Sequence, residues 1–398
     1  MEYNFDELIE RRGTGSAKWD CSENRMHILG RTKPFGPHTI PLFLADMDFA
    51  CPPPVLRAVA GVADQRILGY TSVDRLPAYH RAVQRWFSCS YGWEIRKEEI
   101  LYTSGTVQAI AAAVRACTAP GDGVVVMPPV YGPFFEAVTA SGRRVVACPL
   151  RQTDGSYTMD AARLETLLQD PCITLVLLCS PHNPVGRVWT RTELEQLGTL
   201  CARGGAALVS DEVHCDIRRA GVVHTPAPLA VRDCPVITLT SPNKTFNLAG
   251  VQCGNAIIRD EALRQKFRAA LGHCMPTPFA PAALIAAYTQ CDDWWRQMNG
   301  YVDGTIDLAL ETIRRRMPGV RCQRPEGTYM LWLDLRGLGL PAQELHRRIY
   351  DLADVILENG AGFDPAGGAL FERMCVPAPR ARVQEALERI AEVLTEGR

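Results

Sequence analysis

Neither sign of charge prevails in the 398-residue sequence, which has 43 basic and 44 acidic residues and a formal net charge of -1. A chain without a basic surplus lacks the electrostatic footprint of proteins that bind nucleic acid or anionic membranes. No stretch approaches the roughly 18 apolar residues of a membrane-spanning helix, and the first residues contain no apolar core of a secretion signal. We therefore expect a cytoplasmic protein that acts on a small molecule, with no nucleic acid or membrane as partner.

The fifteen cysteines never show the Cys-x-x-Cys spacing. An odd and scattered set favours reduced thiols that pack as small apolar residues over disulfides or a zinc site. His214, Cys215 and Asp216 are all metal-ligand types, but adjacent residues at a strand end point in alternating directions, and no second ligand pair has suitable spacing. We expect no metal site.

Short apolar runs alternate with helical segments from Pro52 to about Gln290. This alternation is typical of an α/β fold in which helices cover a mostly parallel sheet. We predict strands at five of the apolar runs, most of them bounded by glycine, proline or aspartate. These runs are Val124–Met127, Val145–Ala147, Ile173–Leu178, Ala207–Val209 and Ile237–Leu239.

Beyond Asp292 the pattern changes and indicates a smaller α+β domain. We predict helices at Trp294–Arg316, Pro341–Leu352 and Val383–Leu394, and a strand at Tyr329–Asp334. The first 45 residues lack sustained periodicity and are rich in glycine and proline, so we expect an arm that packs on another part of the protein. The predicted parts are an arm that belongs to the small domain (1–45), a large cofactor-binding domain (46–290) and a C-terminal small domain (291–398).

Three consecutive strand-like runs end in polar side chains, namely Asn183, Asp211 and Lys244. The carboxyl ends of parallel strands meet at one edge of a sheet, where doubly wound folds build their ligand crevice. An amide, a carboxylate and an amine together suit a cofactor with a phenolic oxygen, a pyridine nitrogen and an aldehyde, which is pyridoxal 5'-phosphate. Lys244 would form the Schiff base and act as base, Asp211 would keep the pyridine nitrogen protonated, and Asn183 would bond the phenolic oxygen.

The cofactor's phosphate needs hydrogen-bond donors at the same edge. The segment Thr103–Thr106 precedes a helical run that extends to Cys117. Backbone N–H groups at a helix N-terminus attract anions, so Gly105 and Thr106 are the predicted phosphate contacts. Ser241, three residues before Lys244, is a further candidate donor.

Five short motifs occur in one order along most of the chain. They are Ala45–Phe49 (ADMDF), Gly69–Thr71 (GYT), Pro129–Phe134 (PVYGPF), Ser180–Trp189 (SPHNPVGRVW) and Lys244–Gly250 (KTFNLAG). With them the chain resembles fold-type I pyridoxal phosphate enzymes of the class I/II aminotransferase family, which have the aspartate aminotransferase fold. Within that family it is similar to the MalY/PatB branch of cystathionine β-lyases and cysteine-S-conjugate β-lyases.

The resemblance implies roles for four more residues. Tyr131 would stack on the pyridine ring, and Arg373 would bind the substrate carboxylate through its planar guanidinium. Tyr70 matches a tyrosine that reaches the phosphate in the neighbouring subunit, which implies a homodimer with shared active sites. His214 occupies the position of a tyrosine that bonds the phenolic oxygen; it either makes that contact or supports the site from behind.

The branch implies β-elimination from an L-cysteine S-conjugate, with L-cystathionine as the leading substrate. Lys244 would remove the Cα proton, and loss of a thiol from Cβ would yield homocysteine, pyruvate and ammonia. An aminotransferase would use the same residues together with a 2-oxo acid acceptor. Many aminotransferases have a phosphate-binding arginine where this chain has Gln252, which counts against that alternative. A non-catalytic regulator with the same fold is disfavoured because Asn183, Asp211 and Lys244 are all present.

Overall fold

The computed structural model describes residues 2–20 and 33–395. The predicted arm (1–45) and C-terminal domain (291–398) therefore lie partly outside the described residues. The strands are β1 (Ile40–Pro41), β2 (Ile100–Thr103), β3 (Gly123–Val126), β4 (Arg144–Ala147), β5 (Arg151–Thr153), β6 (Ser156–Thr158), β7 (Ile173–Cys179), β8 (Ala207–Asp211), β9 (Val236–Thr240), β10 (Gly254–Ile257), β11 (Met330–Asp334), β12 (Val355–Ile356), β13 (Glu358–Asn359) and β14 (Phe371–Cys375).

Helices separate and follow these strands. The α-helices are α1 (Pro53–Asp64), α2 (Pro77–Tyr91), α3 (Thr106–Cys117), α4 (Pro133–Ala140), α5 (Ala161–Leu167), α6 (Arg191–Gly204), α7 (Ala227–Ala230), α8 (Glu261–Leu271), α9 (Phe279–Gln290), α10 (Asp292–Arg316), α11 (Ala342–His346) and α12 (Arg380–Thr395). The helix predicted for Pro341–Leu352 is α11 followed by a π-helical turn, Arg347–Leu352. Within the described residues, no helix is long and apolar enough to cross a bilayer.

The central sheet has seven strands in the order β2-β10-β9-β8-β7-β3-β4. Only β10 runs opposite to the other six strands, so the α/β class with a mostly parallel sheet is confirmed. All five predicted strands of this sheet are present, with ends shifted by at most two residues. β2 and β10 were not predicted; β10 contains glycine and asparagine, which strands disfavour.

Both faces of the sheet are buried, as a parallel sheet requires. Along β3, Val124 and Val126 face a core formed with α3, α4 and α8, whereas Val125 faces a second core formed with α5 and α6. The same alternation continues in β7. The sheet is therefore rigid. Polar side chains are left to the ends of its strands.

The segment before the large domain pairs with the C-terminal part of the chain. β1 runs parallel to β12, with Ile40 opposite Val355. Next to this pair, β11, β14 and β13 form a small antiparallel sheet. This pairing supports our proposal that the N-terminal arm belongs to the small domain, with α10 beginning close to the predicted boundary at residue 290.

Gly186 joins the loop after β7 to the small domain. Its N–H donates to His182 O (2.7 Å), and its own carbonyl accepts from Gly327 N–H (2.8 Å). The backbone is left-handed (φ +74°), and a Cβ added there would lie 2.4 Å from Pro325 Cβ. A side chain at this position would therefore strain both the turn and the domain contact.

We expect Gly186→Ala to lower the free energy of unfolding by roughly 2–4 kcal/mol, the sum of left-handed strain and overpacking. Gly205→Ala is the matched control, because Gly205 is also left-handed (φ +69°) but an added Cβ would meet nothing within 4 Å. The control should lose only the left-handed strain, about 1–2 kcal/mol. Denaturant unfolding of both variants measures the difference, and equal losses would contradict the proposed clash with Pro325.

Candidate active site

Lys244 lies four residues after the end of β9, at the carboxyl edge of the sheet. Its Nζ donates to Ala45 O at 2.6 Å. Burial lowers the pKa of the Lys244 amine, and the positive charge of Arg373 acts in the same direction. The amine is thus shifted towards the neutral form, which a nucleophile or proton acceptor requires.

Asp211 is the last residue of β8 and is buried. Its Oδ1 accepts from Val213 N–H (3.2 Å). Burial raises the pKa of the Asp211 carboxyl to about 7, although that hydrogen bond and the charge of Lys244 act to lower it. A cationic ring nitrogen beside this carboxylate would stabilise its ionised form.

Arg373, in β14, joins Asn183 to the small domain. Its Nη1 donates to Asn183 Oδ1 (3.0 Å), and its Nη2 donates to Phe43 O (2.8 Å) and forms an ion pair with Glu358. The side chain is buried, and its Nε has no hydrogen-bond partner among the described residues. A buried N–H without an acceptor is costly, so this arginine has a donor available for a ligand.

Two rings complete the cleft. Burial raises the pKa of Tyr131 to about 12, with the Asp211 charge adding to the effect, so its phenol stays neutral. Burial also holds the pKa of His214 well below its usual range, with Lys244 and Arg373 contributing. The neutral His214 ring meets Tyr329 edge-on at 5.8 Å, and its buried Nδ1 has no partner within the described residues.

The predicted phosphate contacts lie at the same edge of the sheet. The register pairs Gly254 with Thr103 and Asn255 with Thr240, which brings the start of α3 close to the end of β9. A Cβ added at Gly105 would meet no atom within 4 Å, so the approach to this helix N-terminus is open.

Ser241 is differently engaged. Its hydroxyl donates to Cys253 O (2.6 Å) and accepts from Asn243 N–H (3.0 Å). A hydroxyl has one proton to donate. Ser241 can bond a phosphate only if the hydroxyl turns away from Cys253.

Tyr70 takes no part in the cleft of its own chain. Its side chain is 97% exposed, and the nearby Ile67 and Leu68 are 76% and 61% exposed. Three large apolar side chains exposed in four residues are typical of a contact surface. A role for Tyr70 therefore requires a second chain.

Sequence reasoning missed four contributors to the cleft: Phe43, Ala45, Tyr329 and Glu358. Phe43 and Ala45 act through backbone carbonyls, which any residue type supplies. Ala45 belongs to the ADMDF motif, so the sequence points to its position, but it does not indicate the role of its carbonyl. Glu358 is brought opposite Arg373 only by strand pairing between β13 and β14.

The donor set fits pyridoxal phosphate. The cleft contains a shielded lysine, a buried carboxylate with a raised pKa, a buried histidine nitrogen that has no partner among the described residues, and an open helix N-terminus. We propose Lys244, Asp211, Asn183, His214, Tyr131, Gly105 and Thr106 as the residues that hold it. The described residues contain no cluster of three or more histidine, cysteine or acidic residues suited to a metal ion.

Comparison with known proteins shows the family to which the chain belongs and its use of pyridoxal phosphate. The family model of class I and II aminotransferases matches residues 38–390. The chain is 38% identical to cystathionine beta-lyase PatB of Bacillus subtilis (strain 168) over 397 residues, which cover 98% of this chain and 100% of that protein.

Two solved structures are similar over the full length. Cystalysin from Treponema denticola, which contains a pyridoxal 5'-phosphate cofactor, has a TM-score of 0.93 and 32% identity, with 100% of both chains covered. The PLP-bound C–S lyase from Staphylococcus hominis in complex with L-cycloserine has a TM-score of 0.92 and 30% identity, with 99% of both chains covered.

The raised pKa of Asp211 predicts a pH-dependent stability of the cofactor-free protein. Its folded-state pKa of about 7 lies above the ordinary value of 3.8, so ionisation costs stability, increasingly as the pH rises between these values. Asp211→Asn removes the cost and should stabilise the cofactor-free protein by up to about 4 kcal/mol at pH 8, and by almost nothing at pH 3. Denaturant unfolding at both pH values tests this, and a difference independent of pH would contradict it.

Proposed function

Because the chain belongs to the class I and II aminotransferase family, we propose that it is a pyridoxal phosphate-dependent carbon–sulfur β-lyase. Its substrate is L-cystathionine or a related L-cysteine S-conjugate, which it cleaves to a thiol, pyruvate and ammonia. The observation that carries the proposal is a cleft with a shielded Lys244 amine, the buried Asp211 carboxyl, and an arginine whose Nε–H has no acceptor in the part of the chain that the structure describes. The full-length similarity to PatB, a protein named as a cystathionine β-lyase, supports the same activity.

Bound pyridoxal phosphate supplies an aldehyde for the substrate's amino group and a protonated ring that withdraws electrons from Cα. Asp211 keeps the ring nitrogen protonated, because a cation beside this buried carboxylate offsets the desolvation that raises its pKa. Asn183 Nδ2 can donate to the phenolic oxygen while its Oδ1 accepts from Arg373. The neutral His214 is a second candidate donor to that oxygen.

Arg373 orients the substrate by its α-carboxylate. The unpartnered Nε–H supplies one hydrogen bond, and the adjacent Nη2 supplies a second when it shares its protons with Phe43 O and Glu358. Two parallel bonds fix the plane of the carboxylate, which a lysine ammonium cannot do. The Cα–H bond is thereby directed towards one catalytic group.

Lys244 performs the proton transfers. Its Nζ, once released to the neutral form, takes the proton from Cα. The electron pair left by that proton forms the Cα–Cβ double bond and expels the thiolate from Cβ. The protonated amine can return its proton to the sulfur, and the remaining fragment is hydrolysed to pyruvate and ammonia.

Transamination is the competing outcome, because it needs the same arginine, aspartate and lysine. It differs in requiring a 2-oxo acid to regenerate the enzyme. Gln252, where many aminotransferases have an arginine, is exposed and adopts a left-handed backbone. The absence of a cation at this position favours elimination over transamination.

We expect L-cystathionine to yield homocysteine, pyruvate and ammonia in equal amounts without any added 2-oxo acid, because elimination needs only a leaving group on Cβ. Borohydride should fix the cofactor covalently to Lys244. Quantifying the three products and mapping the reduced peptide test the two expectations.

Lys244→Ala is the control, and it should lose both the covalent link and turnover. Cofactor found on another lysine would overturn the site assignment. Turnover that depends on a 2-oxo acid and releases no thiol would identify an aminotransferase instead.

We further propose that the active species is a homodimer in which Tyr70 reaches the phosphate of the neighbouring subunit's cofactor. The near-complete exposure of Tyr70, beside the exposed Ile67 and Leu68, supports a surface covered by a second chain. Burial of these three side chains would stabilise the dimer by about 1.5–3 kcal/mol for each one fully buried.

Mixing two inactive variants tests the sharing of sites. Tyr70→Phe and Lys244→Ala, unfolded and reassembled together, should recover part of the activity, because one site of each hybrid has both residues intact. Each variant reassembled alone is the control. Hybrid dimers that are confirmed by mass spectrometry but remain inactive would show that Tyr70 serves its own subunit.

A further inference from the structure

The segment from Phe43 to Asp48 carries two backbone carbonyls of the active site. Phe43 O accepts from Arg373, and Ala45 O accepts from Lys244 and, at 3.4 Å, from the Tyr329 hydroxyl. Residues 43–48 belong to no strand or helix. A segment without a regular hydrogen-bond ladder needs other contacts to hold its carbonyls in place.

The N-terminal arm supplies those contacts from a tight turn. The Asp20 carboxylate accepts from the N–H groups of Gly13 (2.8 Å), Gly15 (2.8 Å) and Ser16 (3.2 Å). Gly13 and Gly15 are left-handed, at φ +75° and +76°. The turn is therefore closed by its own hydrogen bonds, and it presents the residues just before Asp20 in a fixed direction.

Lys18 is the central contact between this turn and the active-site segment. Its side chain is 0% exposed, and its Nζ donates to Asp46 O (2.9 Å) and to Asp48 Oδ2 (3.1 Å). Trp19 Nε1 donates to Asp48 Oδ1 at 2.9 Å. A lysine and an aspartate are thus both buried directly beside the Ala45 carbonyl.

Arg11 holds the same segment from the other end of the turn. Its guanidinium donates to Asp46 Oδ2 (2.6 Å), Met47 O (3.0 Å) and Asp48 Oδ1 (3.1 Å). We define the N-terminal clamp as Arg11, Lys18 and Trp19 together with their partners Asp46 and Asp48. All of these bonds involve Asp46, Met47 or Asp48, the three residues that follow Ala45 in the chain, whereas Phe43 precedes it.

A contribution to the stability of the fold does not by itself explain why Lys18 and Asp48 are buried together. Burying an ammonium and a carboxylate together costs several kcal/mol per ion in desolvation, and well-packed apolar residues often replace such a pair without loss. What a buried ion pair does provide is a defined geometry for the backbone that carries it. Here that backbone leads directly to the carbonyl that contacts Lys244.

We propose that Lys18 is a positioning residue, which through the N-terminal clamp fixes the Ala45 carbonyl and with it the direction of the Lys244 amine. The inference rests on the proposed function in one respect, which is that Lys244 takes the Cα proton. It assigns a catalytic purpose to the ADMDF motif and to the arm, neither of which contacts the substrate in the mechanism above.

Lys18→Met tests the clamp, because it keeps a long apolar side chain and removes the ammonium. In the cofactor-loaded enzyme, kcat for L-cystathionine should fall between about 10- and 100-fold, the scale of a misplaced catalytic group. KM should change much less than kcat, because Arg373 keeps Asn183 and Glu358 as partners although the carbonyl of Phe43 lies in the loosened segment. The isotope effect on kcat with substrate deuterated at Cα should rise, because proton removal becomes slower relative to the other steps.

Hydrogen exchange provides a readout that needs neither cofactor nor turnover. Backbone amides of residues 43–48 should exchange at least about tenfold faster in cofactor-free Lys18→Met than in the wild type, because the clamp no longer holds the segment. Trp19→Phe removes only one donor from Asp48 and should show the same changes to a smaller degree. If Lys18→Met does not fold, Trp19→Phe decides the question.

Arg264→Met is the matched control. Arg264 is also a buried cation, and its Nη1 donates to Ile258 O (3.0 Å) and Arg259 O (3.1 Å), beyond the end of β10 remote from Lys244. Its loss should leave the isotope effect and the exchange of residues 43–48 unchanged.

Two results would separate failure of this inference from failure of the proposed function. Folded Lys18 and Trp19 variants with an unchanged isotope effect and unchanged exchange, in a protein whose cofactor is fixed to Lys244, would overturn the positioning role alone. Cofactor attached elsewhere would refute the proposed function, and the exchange measurement would still decide whether the clamp holds the segment.

Discussion

The burial of opposite charges beside one another at the carboxyl edge of the sheet is the constraint on which the rest of the cleft depends. Lys244, Asp211 and Arg373 all lose water; the charges of Arg373 and Asp211 shift the pKa of Lys244 in opposite directions, and the charge of Lys244 acts to lower the pKa of Asp211. Such groups can be buried only where fixed hydrogen-bond partners surround them. The rigid sheet provides Asp211 and Lys244, and the small domain provides Arg373 with Glu358.

The two parts of the chain meet through backbone atoms as much as through side chains. The segment between β1 and α1 offers one carbonyl to the arginine of the small domain and another to the lysine of the large domain. A shift of this segment would change both contacts together. Binding of the substrate carboxylate and placement of the catalytic amine are therefore mechanically linked.

The polar residues at the strand ends could be predicted from sequence because parallel strands of similar direction deliver their carboxyl ends to one edge. Asn183, Asp211 and Lys244 followed from this rule, and the structure gathers Tyr131, His214 and Arg373 around them. The carbonyl of Ala45 could not be predicted, since it has no residue-type signature. The direction of the Ser241 hydroxyl depends on its contact with Cys253, so it could not be predicted from sequence either. The strand β10 is too short and contains too much glycine and asparagine to be recognised.

Arg373 also has a consequence for the order of folding. Its partners Asn183 and Phe43 are 190 and 330 residues away along the chain. Closing loops of this length costs entropy that no local contact repays, so contacts of this kind form late. Most neighbouring strands of the central sheet pair over shorter separations, such as β7 with β8 and β8 with β9. The arginine that binds the substrate carboxylate therefore takes its final position after the sheet that carries Lys244 has formed. During folding, the chain has a reactive amine before it has the arginine that selects its substrate.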